Sequence, residues 1–407
     1  MKAMVGVENT KRVWAQVIAP RWHRLLSADV TKVVLIFLVV KLVLFSFAPV
    51  ARVFVPLDKR VVPGDPKLSI EWLAIWAQWD FGAYTAIAEN GYSPENPERA
   101  AHFPLFPLLI WLFKPLIPNS FVAGVGISLA SLLAAVILLY RLTLREFGDG
   151  ATGVRAVFYL LVYPTAFFTS TAYSESLFLL VAIVTFLFLR QGRWWLSGFG
   201  GLFASATRLL GIGLVLPFAW EYLRRMRQGH YRWDWGWLAL FLIPVGLAAF
   251  AVVLRYQMNN PFAFISAQEE FGRKPVLPWE SFRYGWEVVL GKHLVPGYLE
   301  NWAINAVEFG STCLFIVMTV LVSLRLGLSY GLYMAVGLLL PLSMSLLGDR
   351  PLAAMSRFHL VLFPAFMLLG HYGKHAVVDR TICVVFVTLL GLLTALFVTQ
   401  WNVPGVG

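Results

Sequence analysis

Charge is scarce in this chain, and its scarcity decides the class of protein. Of 407 residues, 14% are charged and 59% are hydrophobic, and the mean hydropathy is +0.71. A water-soluble fold with that balance would expose more apolar surface than soluble proteins do. Cysteine is rarer still: Cys313 and Cys383 both fall inside apolar runs, so neither a disulfide framework nor a metal site is predicted from them. There is no phosphate-cradling GxxxxGKS/T loop, no GxSxG elbow, no HExxH and no close Cys/His set. The usual machinery of ATP-driven transport, serine hydrolysis and zinc proteolysis is therefore missing. No internal repeat or low-complexity linker stands out. The net charge of +11 is dispersed in short basic segments between apolar runs. That pattern sets membrane topology and meets anionic lipid; without a basic soluble domain it excludes nucleic acid as a partner.

What is present is a succession of apolar runs of about 20 residues, the length that crosses a bilayer as a helix. The expectation is an all-α polytopic membrane protein forming a single domain over 1–407. The basic segment 1–32, with Lys2, Lys11, Arg12, Arg21, Arg24 and Lys32, precedes an apolar run that lacks a small-residue cleavage site. This predicts a retained first span at 33–55 with the N-terminus cytoplasmic. Lys41 lies near the cytoplasmic end of that span, where snorkelling accounts for it. Residues 56–118 form a first external loop. Within it, 70–89 has Trp72, Ile75, Trp76, Trp79, Ala83 and Ile87 on one stripe, predicting an amphipathic interfacial helix. The proline-broken stretch 103–118 makes a second interfacial piece.

Further spans are predicted at 121–140, 156–170, 177–189, 236–254, 303–324, 329–347, 358–371 and 382–399, with a second external loop at 255–302. The run 196–222 is flanked by Arg190 and Arg193 before it and by Arg224, Arg225, Arg227 and Arg232 after it. A single crossing would carry one basic cluster outside, so two short helices that dip in and return, with Arg208 at the tip, fit better. The count is then about nine transmembrane helices plus one re-entrant helix pair, with the C-terminus outside. On this topology Asp80, Glu95, His102, Glu175, Arg208, Asp349, Arg350 and Arg357 converge on the external face.

Each polar candidate carries two readings. Asp80 either caps a helix or pairs with a surface cation, or it serves as a general base, since a carboxylate between Trp79 and Phe81 is partly desolvated and a better proton acceptor. Glu175, in Tyr173-Ser174-Glu175-Ser176, is a first-turn acid stabilised by the helix dipole or a site residue. Arg208 inside an apolar run demands a carboxylate or a phosphate. Arg357 and His359 at a helix start invite the same pair of readings. His102 either bonds a sugar or phosphate or is structural, and Trp76, Trp79 and Tyr92 either stack on a sugar or belong to the interfacial aromatic belt.

The order of motifs narrows the choice. Gln78-Trp79-Asp80 is followed by Ile87-Ala88-Glu89-Asn90-Gly91-Tyr92, then Glu95, then Ala101-His102-Phe103-Pro104-Leu105-Phe106-Pro107. Further on come Tyr163-Pro164-Thr165-Ala166-Phe167-Phe168, Ala172-Tyr173-Ser174-Glu175-Ser176-Leu177-Phe178, Ala206-Thr207-Arg208-Leu209-Leu210-Gly211, Ser356-Arg357-Phe358 and Phe363-Pro364. This series resembles the PIG-V family, the second mannosyltransferase of GPI-anchor synthesis, and its prokaryotic relatives. The resemblance covers the N-terminal half well and the rest sparsely. Gln78 stands where the family has a basic residue, His102 where it has Phe, and Leu209-Leu210 where it has Ser-Asn.

The resemblance implies a GT-C glycosyltransferase bundle that moves a hexose, mannose in the family, from a polyprenyl-phosphate donor to a lipid-linked or cell-envelope acceptor. It places the catalytic acid on Asp80, with Arg208 and Arg357 as candidates for the donor phosphate. Trp79, Tyr92, Glu95, His102, Tyr173 and Glu175 are supporting residues, and no obligatory metal or other cofactor is expected. The site would face outward, at the plasma membrane of a prokaryote or into the endoplasmic reticulum lumen of a eukaryote. Two rival readings are a lipid or oligosaccharide transporter, in which Arg208 and Lys41 line a path, and a non-catalytic scaffold of a glycosyltransferase complex.

Overall fold

The computed structural model describes residues 28–57, 71–228, 234–292, 298–346 and 350–400. The basic segment before residue 28, Arg232 and Asp349 lie outside them. In chain order the helices are α1 (Ala28–Phe54), α2 (Glu71–Ala74), α3 (Phe81–Asn90), α4 (Leu105–Phe113), α5 (Ser120–Phe147), α6 (Gly150–Leu161), α7 (Glu175–Gln191), α8 (Trp194–Thr207) and α9 (Val215–Arg227). They continue with α10 (Leu242–Met258), α11 (Ala263–Glu270), α12 (Pro278–Val289), α13 (Tyr298–Arg325), α14 (Leu328–Leu342), α15 (Met355–His359), α16 (Phe363–Tyr372) and α17 (Ala376–Val398). A two-residue strand, β1 (Lys274–Pro275), pairs antiparallel with β2 (Met344–Ser345), and Lys274 lies opposite Ser345.

The surface is inside out by the standards of a soluble bundle. Leu35, Leu38, Val39 and Leu42 of α1 are exposed, whereas Lys41 is buried with its Nζ donating to Thr169 Oγ1 at 2.7 Å and Ser170 Oγ at 2.8 Å. A helix that turns aliphatic side chains outward and its lysine inward is solvated by lipid. The expected snorkelling of Lys41 is thereby overturned: two hydroxyls inside the bundle satisfy the ammonium better than a reach along the helix to the interface. Among the described residues, five helices are long and apolar enough to cross a bilayer, at Ala28–Phe54, Ser120–Phe147, Trp235–Met258, Trp302–Arg325 and Ala376–Val398. The protein is a multi-pass, mostly helical membrane protein.

Other apolar runs form shorter helices than their sequences suggest. Gly150–Leu161 has 12 residues and Phe363–Tyr372 has 10. Twelve residues rise about 18 Å, well short of the hydrocarbon thickness of about 30 Å. In α16 the consecutive residues Phe363 to Gly370 are all buried, so its uniform hydrophobicity marks a helix enclosed by the bundle rather than one facing lipid.

The single interfacial helix predicted over 70–89 is two helices. The chain breaks between α2 and α3, and Trp79 takes a positive φ of 57°. The run 194–227 is also two helices. α8 ends at Thr207, Arg208 is extended (φ −155°, ψ 150°), and a 3-10 segment, Leu209–Leu214, leads into α9. The chain then returns on itself, for the rings of Trp194 and Tyr222 lie 4.9 Å apart and Arg225 donates to the Arg190 carbonyl at 2.7 Å. Glycine permits the packing of this hairpin against α10: a Cβ on Gly201 would fall 2.6 Å from Ile243, and one on Gly246 would fall 2.2 Å from the Leu202 carbonyl.

Candidate active site

The break between α2 and α3 carries the site. Two hydroxyls and a side-chain amide pin it. Thr171 Oγ1 donates to the Trp76 carbonyl at 2.7 Å, and Tyr173 Oη donates to the Gln78 carbonyl at 2.8 Å while accepting the Asp80 N–H at 3.0 Å. Gln78 is buried, donates to the Ile75 carbonyl at 3.1 Å and accepts from Gln400 at 3.2 Å. The helical stripe over 70–89 therefore yields to polar clamping from the 171–173 segment, and Asp80 emerges at the N-cap of α3. Its carboxylate makes no capping bond.

That carboxylate instead meets Arg357, whose Nη1 is 2.6 Å from Asp80 Oδ2. The same guanidinium donates through Nε to Glu175 and lies 4.6 Å over the ring of Tyr173 and 4.9 Å over Phe168. Glu175, the first residue of α7 and fully buried, is also ion-paired to Arg208, with Nη1 2.7 Å from Oε1 but outside hydrogen-bonding angles. Arg357 is aimed by its own element: Ala354 in the left-handed region starts α15, and the Ser356 N–H donates to Glu308 of α13 at 2.6 Å. Burial favours protonation of Asp80, but Arg357, then His102 and Arg208, outweigh it and hold the carboxyl below its ordinary range. His102 Nε2 lies 3.9 Å from Asp80 Oδ2. Burial lowers the proton affinity of this imidazole more than Asp80 raises it, so it is neutral at pH 7.

Asp80, His102, Arg208 and Arg357 line a cavity of about 510 Å³ whose remaining wall is largely apolar, with Phe103, Leu209, Leu210, Phe264, Ile265, Phe271, Leu340, Met344 and Val361. Tyr84 and Arg273 also line it. Tyr84 Oη shares a hydrogen bond of 2.8 Å with Ser174 Oγ, and burial, with Glu175 next, pushes its phenol up to about 12. The combination of a carboxylate, guanidinium groups and a greasy wall suits proton abstraction beside an anionic group carried on an apolar chain.

The structure sorts the sequence candidates. Asp80, His102, Glu175, Arg208 and Arg357 come together, and Tyr173 supports them. Tyr92 and Trp79 stand behind the wall: Tyr92 Oη donates to the His102 carbonyl at 2.7 Å, and Trp79 packs against the core. Glu95 is exposed in the loop after α3, and its side chain reaches none of these groups. His359 is taken up by Ser311, with Nδ1 2.6 Å from Oγ, and stacks on Phe315 at 4.4 Å. Tyr84, Arg273 and Glu308 escape sequence reasoning. Tyr84 looks like one more aromatic on a helix, Arg273 like an ordinary loop cation, and Glu308 like a lone acid in an apolar run. Only the last carried a usable signal, the cost of burying a carboxylate without a partner.

Among the described residues no group of three or more His, Cys, Asp or Glu is placed to hold a metal ion. No curated protein sequence matches the chain significantly. Among solved structures it is similar to ArnT from Cupriavidus metallidurans, determined with bound undecaprenyl phosphate, at 13% identity and a TM-score of 0.48 over 90% of this chain and 76% of that one. Residues 63–225 match the sequence model of the family described as mannosyltransferase (PIG-V). Asp80, His102, Glu175 and Arg208 fall inside that stretch, and Arg273 and Arg357 beyond it; over residues 63–225 this chain is similar to the PIG-V mannosyltransferases.

Proposed function

We propose that the protein is a membrane mannosyltransferase that moves mannose from a polyprenyl-phosphate donor to a hydroxyl of a lipid-linked or cell-envelope acceptor. The observation that carries this reading is the position of Asp80, within the segment matched by the family model, in a largely apolar cavity beside arginines. A lipid-linked donor must be met in the membrane, which accounts for a multi-span enzyme without a nucleotide fold. The acceptor oxygen attacks the anomeric carbon as Asp80 takes its proton. The bond from that carbon to the phosphate oxygen breaks, its electron pair leaves with the polyprenyl phosphate, and configuration inverts.

In the resting geometry Asp80 is a weak base because Arg357 neutralises it. A donor phosphate competes for Arg357, and its arrival loosens the pair and raises the proton affinity of the carboxylate. Arg208 and Arg357 face the growing charge on the leaving phosphate. Because guanidinium groups serve the phosphate, turnover should survive EDTA. We place the cavity on the external or luminal face and the N-terminus in the cytoplasm. On this reading the 194–227 hairpin is re-entrant, with Arg208 at its tip. Cysteines introduced at 193 and 228 should then both label from the cytoplasmic side; labelling from opposite sides refutes this topology.

The deciding experiment supplies the purified protein in lipid with polyprenyl-phosphate-linked labelled mannose and a cell lipid extract, with Asp80→Asn alongside. Transfer that vanishes in the variant supports both donor and base. Transfer by both proteins sinks Asp80 as the base. Failure of both to transfer, while the wild type moves the lipid across the bilayer, supports a transporter instead.

A further inference from the structure

Three guanidinium groups, Arg208, Arg273 and Arg357, and the Asp80 carboxylate line the cavity, with Glu175 fully buried behind them. Asp80 and Glu175 are both committed: Arg357 bridges the two of them, and Arg208 shares Glu175. Arg273 has no carboxylate within ion-pair distance among the described residues. It sits instead 5.6 Å over the ring of Phe358, and Arg208 sits 5.5 Å over the same ring. Two like charges have thus been brought to one phenyl group, with the counter-charges already taken on one side only.

The backbone makes this placement firm. Arg273 follows Gly272 at φ +70°, its N–H donates to the Gln268 carbonyl at 3.0 Å, and the next residue, Lys274, enters the β1–β2 pairing. The side chain is therefore delivered from the turn between α11 and β1 into the cavity rather than into solvent. The side chain is half-buried at the cavity wall: burial first, then the charges of Arg357 and Arg208, lower its proton affinity to about 10, which still leaves it cationic at pH 7. A desolvated cation facing other cations is costly until an anion arrives between them.

We propose that Arg273 is the seat of the donor's phosphate, the uncommitted charge that distinguishes a polyisoprenoid phosphate from the corresponding alcohol. This rests on the reading of the protein as a lipid-phosphate-dependent transferase and assigns a division of labour within it. Arg357 and Arg208 fix the two carboxylates and exchange partners when the donor arrives, whereas Arg273 holds the phosphate from the start and, among the described residues, has no carboxylate to surrender. The apolar wall beside it, Leu209, Leu210, Phe264 and Ile265, takes the first isoprene units. The ligand class is therefore a phosphate ester on an apolar chain; a free phosphate satisfies the charge but leaves that wall wet.

The test is binding, independent of turnover. Full-length protein in phosphatidylcholine nanodiscs is titrated with a sugar-free polyprenyl phosphate and with the matching polyprenol, and inorganic phosphate is tried as competitor. Wild type should prefer the phosphate. Arg273→Gln should bind polyprenyl phosphate about 10- to 100-fold more weakly, the worth of a charged hydrogen bond, and bind polyprenol unchanged, while Arg273→Lys recovers most of the loss. Unaltered phosphate binding by Arg273→Gln overturns the assignment to Arg273 and leaves the donor reading standing. A wild type that does not distinguish phosphate from alcohol overturns both. Inorganic phosphate that competes at concentrations near those of the lipid overturns the lipid class of the ligand.

Discussion

Helix α7 links two buried charge clusters made of the same parts. At its first residue Glu175 joins Asp80, Arg208, Arg357 and Arg273; at its last turn Arg190 joins Glu146, Glu221, Arg224 and Arg225. About 22 Å of helix separates them. Both have two acids and three arginines, and both contain a fully buried glutamate. The second cluster is saturated. Arg190 pairs with Glu146 at 2.8 Å and Glu221 at 3.2 Å, Arg224 and Arg225 reach Glu221 at 2.7 and 3.1 Å, and Tyr330 donates to Glu146 at 3.1 Å. Its excess charge escapes along Arg224, whose side chain is 36% exposed. The first cluster instead opens on a cavity and, among the described residues, leaves Arg273 without a carboxylate at ion-pair distance and Glu175 Oε2 without a hydrogen bond. Buried charge alone is thus a poor sign of function; unmatched charge beside empty room is the better one.

The largest expected effect breaks the comparison in kinetic terms. Asp80→Asn should fold, bind donor and lose about 10² to 10⁴ in turnover, measured as mannose transfer by the purified protein; near-normal transfer removes Asp80 from the chemistry. Glu221→Gln is its counterpart. Removing one partner from the saturated cluster leaves buried arginines uncompensated and should cost about 3–5 kcal/mol of stability, read as an earlier unfolding transition in detergent. The turnover of its folded fraction should stay at the wild-type level. A Glu221→Gln protein that is stable but slow would show that the second cluster also serves the reaction.

The two clusters differed in how far sequence could foresee them. Asp80, Glu175, Arg208 and Arg357 were all legible, because an ionisable group within or beside an apolar run is conspicuous and the surrounding motifs resemble a known family. Their mutual pairing was not legible, since 277 residues separate Asp80 from Arg357 and only tertiary packing closes that distance. Arg273 is invisible for the opposite reason, being a charge in a polar loop where charges are ordinary. The helix lengths misled where burial was complete. In α16, apolar residues face other helices on all sides, and periodicity cannot tell that from lipid exposure. The break at Trp76 to Asp80 contradicts a good helical stripe because hydroxyls from 171 and 173 satisfy its backbone better than another helical turn would.

Acidity offers a finer probe of the first cluster. Arg357, His102 and Arg208 together hold the Asp80 carboxyl below its ordinary range despite burial, so the charged form is the one folding favours. Its stabilising contribution is full above the ordinary carboxylate pKa and is lost as pH falls through the depressed native value. For catalysis by the free enzyme, kcat/KM should accordingly stay level from neutral pH down to about 4 and fall only below it. Arg357→Gln removes the principal counter-charge and should move that acidic limb upward by at least one unit, whatever it does to the maximum. An acidic limb left in place by Arg357→Gln would mean that another group, and not Asp80, gives up the titrating proton.

The smallest effect is expected at Tyr173, and it separates holding the base from binding the donor. Its hydroxyl accepts the Asp80 N–H and donates to the Gln78 carbonyl, while its ring lies under Arg357. Tyr173→Phe keeps the ring, and with it the stacking surface, but frees the two backbone groups that define the bend. A loss of one such buried pair is worth about 1 kcal/mol, and the resulting looseness at Asp80 should lower kcat by about 5- to 10-fold. The KM for the donor should not move, because Arg273 and the apolar wall are untouched. A raised donor KM with kcat intact would instead place the Tyr173 hydroxyl on the binding side of the cavity, and the bend would then owe its geometry to Thr171 and Gln78 alone.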